Sequence, residues 1–74
     1  MPETYRIIVF KSTYLTFKAE RALKKAGIPH KVVTKPRDVS SDCGLAVRVD
    51  AGDESKVLTI LAESSVENIG VFDA

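Results

Sequence analysis

The side chain with the widest chemical reach in this sequence is Cys43, the one cysteine among 74 residues. It nearly closes the run Pro36-Arg37-Asp38-Val39-Ser40-Ser41-Asp42-Cys43-Gly44, the longest stretch without an apolar period. The thiolate is the nucleophilic form of cysteine. Its pKa, about 8.5 when unperturbed, falls near cations and helix N-termini. Polar loops held between rigid elements are where binding and catalytic groups concentrate. The opposing reading is that Cys43 is a small buried hydrophobe, because free cysteine is among the most buried residue types. The polar neighbours Ser40, Ser41 and Asp42 favour a working thiol over core filler.

Other residues offer less. Ser40 and Ser41 have no histidine placed to activate them as nucleophiles. His30 reads as a solvated residue at the start of a strand. No spacing of His, Cys, Asp and Glu matches a metal site, and Gly44 and Gly52 form no phosphate loop. No cofactor or metal is expected.

The elements around the loop follow from pattern. Tyr5-Arg6-Ile7-Ile8-Val9-Phe10 is short and rich in β-branched and aromatic residues, which predicts a central strand. Ser12 or Thr13 can cap the helix that follows. Leu15, Ala19, Ala22, Leu23 and Ala26 recur at helical spacing, with Lys18, Glu20, Arg21, Lys24 and Lys25 on the other side. Tyr14 and Phe17 lie off that stripe. Gly27 suits a left-handed C-terminal cap, and Pro29 prevents continuation. His30 to Lys35 and Leu45 to Val49 read as strands. Asp53 is a candidate cap for a shorter helix over Lys56 to Ala62. Glu67-Asn68 reads as a turn, and Ile69 to Phe72 as a short last strand weakened by its glycine.

The order β-α-β-β-α-β is the split-βαβ, ferredoxin-like pattern. It predicts one α+β domain spanning residues 1–74. The expected sheet has four antiparallel strands in order 4-1-3-2, with both helices on one face. In that topology the loop before the third strand meets the end of the first strand and the start of the first helix. Cys43 then lies near Lys11, Ser12 and Thr13 and near the free amides of the helix, with Lys35 and Arg37 at the same end. A helix N-terminus carries about half a positive charge. Gly44 would allow close backbone approach to the sulfur. Asp38 and Asp42 oppose these effects.

Eleven basic and ten acidic residues leave a net charge of +1. That balance gives no case for nucleic acid, which calls for a basic stripe. A lone cysteine excludes an internal disulfide and fits a reducing compartment. The N-terminal residues lack the features of a signal peptide, and no apolar run approaches the ~20 residues of a membrane span. A soluble, cytoplasmic protein is expected. So small a chain buries only about 60% of its unfolded surface, so a homodimer through the uncovered sheet face, or a partner covering that face, is a further expectation.

Several of these residues together resemble a known family. They are Phe10-Lys11-Ser12-Thr13, then Glu20 with Leu23-Lys24 and Ala26-Gly27-Ile28-Pro29, then Pro36 through Ala46 with Arg48. In this combination the chain is similar to the selenium/sulfur carrier-like family of small prokaryotic proteins. The likeness runs from about Tyr5 to Arg48 and is strongest in the loop. Tyr14 and Leu15 depart from it, standing where polar residues, often with histidine, follow the Ser-Thr pair. The resemblance implies a carrier or accessory protein rather than a stand-alone enzyme. Cys43 would hold sulfur or selenium as a persulfide or perselenide, with Arg37, Lys11, Ser12, Thr13 and Gly44 in support. Its partners would be a donor such as a cysteine desulfurase and an acceptor enzyme. The competing reading is a ferredoxin-like module that binds a small ligand or protein, with an incidental cysteine.

Overall fold

A computed structural model describes residues 4–41 and 43–73. The elements run β1 (Tyr5–Val9), α1 (Thr13–Ala26), β2 (His30–Thr34), β3 (Leu45–Asp50), a 3-10 turn over Ala51–Asp53, α2 (Glu54–Glu63) and β4 (Gly70–Asp73). The strands form one sheet in order β2-β3-β1-β4, the predicted 4-1-3-2 order read from its other edge. Every pairing is antiparallel. The fold is α+β and ferredoxin-like. No helix among the described residues is long and apolar enough to cross a membrane.

Both helices cover one face of the sheet. Ile8, Phe10, Val47 and Val49 from the strands pack with Ala19 and Leu23 of α1 and Val57 and Leu61 of α2. The small Ala19 lets α1 approach the sheet closely. Tyr14 and Phe17 stay outside this core, 72% and 45% exposed. Ser12 caps α1 by accepting the Leu15 amide at 3.2 Å. Gly27 ends the helix in the left-handed region, at φ 75°, where a side chain would be strained.

The second half departs from the sequence reading in detail. α2 begins at Glu54, because the 3-10 turn feeds straight into it. Asp53 already has helical backbone angles and makes no side-chain capping bond. The chain reverses at Ser64 and Ser65 rather than at Glu67-Asn68. Ser65 takes φ 57°, and the Val66 amide closes the helix end on the Leu61 carbonyl at 2.9 Å. Gly70 in β4 has a reason: a Cβ there would stand 2.7 Å from the Phe72 ring. The ring lies along its own strand and takes the space a side chain would need.

His30 is not solvated. Its Nδ1 lies 2.8 Å from the Ile28 carbonyl and its Nε2 2.7 Å from a Glu20 carboxylate oxygen. Nor is the second sheet face bare. Val39, from the loop after β2, packs there on Val9 and Ala46, with Ile7, Val33 and Phe72 around them.

Candidate functional site

The loop between β2 and β3 crosses the end of the sheet as a strap. Val39 anchors it on one face, and Cys43 meets the first turn of α1 on the other. Between them Ser41 donates its hydroxyl to the Phe10 carbonyl at 2.7 Å and accepts the Cys43 amide at 3.2 Å. Lys35 ties the strap to its own strand. Its Nζ donates to the Val39 carbonyl at 2.6 Å, and its amide donates to the Gly44 carbonyl at 2.9 Å. These bonds tie the strap at Lys35, Val39, Ser41 and Gly44, and they place the sulfur.

Cys43 has no solvent-exposed surface. The Thr13 hydroxyl donates to Sγ at 3.5 Å. The Thr16 hydroxyl lies 3.2 Å from Sγ, with either atom able to donate. The Leu45 amide donates to Sγ at 3.4 Å, and the Leu45 carbonyl stands ready at 3.4 Å to accept from the protonated thiol. Burial pushes the thiol pKa up. The Thr13 and Thr16 hydroxyls, the Leu45 amide and the Lys35 charge push it down, and the net result lies below the ordinary cysteine value. The four outweigh burial because each is held in place by the helix turn, the strand or the strap.

The residues singled out in the sequence divide. Thr13 touches the sulfur. Ser12 does not; its hydroxyl is spent on the Leu15 amide. The free helix amides do not hold the sulfur either, since Ser12 also takes the Thr16 amide on its carbonyl at 3.1 Å. Side-chain hydroxyls of that first turn and the β3 backbone do so instead. Lys11 and Arg37 are exposed, and the cation acting on the thiol is Lys35. Gly44 is not required for close approach: a Cβ there would meet nothing within 4 Å, and the amide that reaches the sulfur belongs to Leu45. Asp38 is exposed; Asp42 lies outside the described residues. Thr16 was missed in the sequence. Its signal was there: with Ser12 as the cap, Thr13 and Thr16 lie three residues apart on one side of the first turn.

A family model described as "Putative Se/S carrier protein-like" matches residues 5–73. The chain belongs to this Se/S carrier-like family. The match extends past Arg48, where the sequence alone offered no usable motif, and takes in α2 and β4. No curated protein and no solved structure matches the chain. Within this Se/S carrier-like chain Cys43 is a single, buried cysteine.

Proposed function

We propose that the chain carries sulfur or selenium on Cys43, as a persulfide or perselenide. The observation that supports this most is the set of polar groups on Sγ: the Thr13 hydroxyl and the Leu45 amide donate to it, and the Thr16 hydroxyl lies within hydrogen-bond distance and can turn to donate. A structural cysteine needs no such set. The same donors stabilise negative charge, and a carrier sulfur bears it both as thiolate and as persulfide anion.

The transfer balances without an outside oxidant. The Cys43 thiolate attacks the terminal sulfur of a donor enzyme's cysteine persulfide, R–S–SH. A new S–S bond forms on Cys43 as the donor's own S–S bond breaks. The electron pair of the broken bond leaves on the donor, which departs as a thiolate. The sulfane sulfur moves with its proton, giving Cys43–S–SH. Delivery is the same displacement at the next nucleophile. The Thr16 hydroxyl has one proton and two partners, Sγ and the Ser12 carbonyl at 3.1 Å. It can therefore accept from the neutral thiol while donating to Ser12, and turn to donate to the anion.

The burial of Cys43 sets a condition: the strap or Thr13 moves before the sulfur reacts. The test is mass spectrometry of the purified protein after incubation with a cysteine desulfurase and cysteine. The expected result is a gain of one sulfur atom on Cys43, reversed by reductant and absent in Cys43→Ser. An unmodified protein whose thiol reacts with alkylating agents only in denaturant makes Cys43 a structural residue and ends the carrier reading.

A further inference from the structure

One face of α1 is left over by the fold and by the thiol site. Tyr14 and Phe17 are exposed there, the only large apolar side chains besides Ile69 to be so among the described residues. With Thr13, Lys18 and Arg21 they line a shallow groove of about 290 Å³. Thr13 belongs to both places. It is the one exposed residue among those bonded to Sγ, since Thr16 is buried and Leu45 half-buried. An approach to the sulfur by way of Thr13 therefore crosses this groove.

We propose that this face of α1 docks the protein that exchanges sulfur with Cys43, and that the partner presents an apolar pocket rimmed by carboxylates. This inference rests on the carrier reading above. Exposed aromatics beside an arginine are the residue types that anchor interfaces. The charge is one-sided. α1 carries Lys18, Arg21, Lys24 and Lys25 against the single acid Glu20, and Glu20 is engaged by His30. The whole chain carries only +1, so the excess is a property of this helix, and it would steer an acidic surface toward the groove. A second copy of the chain is a poorer occupant. Of its ten acids, four, Asp50, Asp53, Glu54 and Glu63, lie in or just before α2, and Glu54 is already paired with Arg6. A basic α1 meeting an acidic α2 would be a head-to-tail contact, which propagates unless its rotation closes a ring.

The experiment compares two donors on the intact chain. A cysteine desulfurase with cysteine must dock; inorganic polysulfide need not. Loading of Cys43 is followed by mass spectrometry for wild type, Lys18→Glu/Arg21→Glu and Tyr14→Ser/Phe17→Ser. All four altered side chains lie outside the core and off the sulfur. Both double variants are expected to load from the desulfurase at least about tenfold more slowly, the usual scale for losing charged or anchor contacts, and from polysulfide at the wild-type rate. High salt should slow wild type and leave the charge-reversed variant little changed. Equal desulfurase rates for all three proteins overturn the docking face, as does a matching loss with polysulfide. A wild type that loads from polysulfide and not from the desulfurase overturns docking and leaves the carrier reading standing. Failure with both donors removes the carrier reading and this inference together. Self-association of wild type that either double variant abolishes assigns the face to a second copy and overturns the proposal.

Discussion

At the scale of single residues, Thr16 and Cys43 form the least ordinary pair in the molecule. Thr16 is the one fully buried polar side chain among the described residues. Its hydroxyl serves the Ser12 carbonyl and the sulfur at once. Thr16→Val keeps the shape and removes the hydroxyl, so the thiolate loses a donor. The pH midpoint of iodoacetamide modification should move up toward that of a free cysteine peptide. Arg37→Ala should leave the midpoint where it is, because the cation acting on the thiol is Lys35. A midpoint unmoved by Thr16→Val would mean that this hydroxyl does not act on the thiol. The sequence led to the loop and to its cysteine. It did not lead to Thr16, because a threonine inside a helix reads as a weak helix former until the opposite wall is known.

Among the elements, α1 and β2 are joined by His30 and Glu20. Both ring nitrogens of His30 face oxygen acceptors, so the doubly protonated ring satisfies both and the neutral ring only one. Burial opposes the charged ring, but the Glu20 bond, the Ile28 carbonyl and the Glu20 charge outweigh it, and the His30 pKa is raised. The hydrogen bond from His30 holds the Glu20 carboxyl below its ordinary value, against the small cost of burial. A raised histidine pKa adds stability that is complete below its unfolded pKa of about 6.5 and is lost as pH rises through the folded pKa. A lowered carboxylate pKa adds stability that is complete above its unfolded pKa of about 4.3 and is lost as pH falls through the folded pKa. The pair therefore contributes most between those limits. Urea unfolding should show wild type losing stability as pH rises from near 6 through the raised folded pKa of His30, with Glu20→Gln flattening that fall. An identical pH dependence in the variant would show that the pair is not coupled to folding.

For the whole molecule, the strap is the one loop segment that contacts both faces of the sheet through Val39 and Cys43 among the described residues. Val39 seals one face and Cys43 lies against the other, four residues along the same loop. Val39→Ala removes two buried methyl groups and should weaken the closed strap by about 1.5 kcal/mol. If the opening that exposes the sulfur lifts Val39, alkylation of Cys43 at neutral pH should speed up about tenfold, since about 1.4 kcal/mol is a factor of ten. The test is the alkylation rate of Val39→Ala against Val57→Ala, which removes the same two methyl groups from the core on the helix face, away from the strap. Equal acceleration by both would mean that the sulfur is reached through general loosening and not through the strap.

The sequence by itself determined the element order, the sheet order and the single cysteine. Each rests on local chemistry: β-branched runs, the Ser12 cap, Gly27 with Pro29 as a stop, and one cysteine in a polar loop. The limits of α2 and the reversal after it were less legible, because a 3-10 turn and a serine in the left-handed region leave no distinctive residue pattern. Only the tertiary structure decided what surrounds the sulfur. The thiol's partners come from α1 and β3, 27 to 30 residues away along the chain for Thr16 and Thr13, and next door for Leu45. Sequence reasoning could bring those elements to one end of the sheet. It could not say that helix amides would be taken by Ser12, that hydroxyls would take their place, or that Val39 would fold beneath the sheet and close the site. Those outcomes depend on rotamers and on the path of a loop, which are set by packing across the fold rather than by neighbours in the chain.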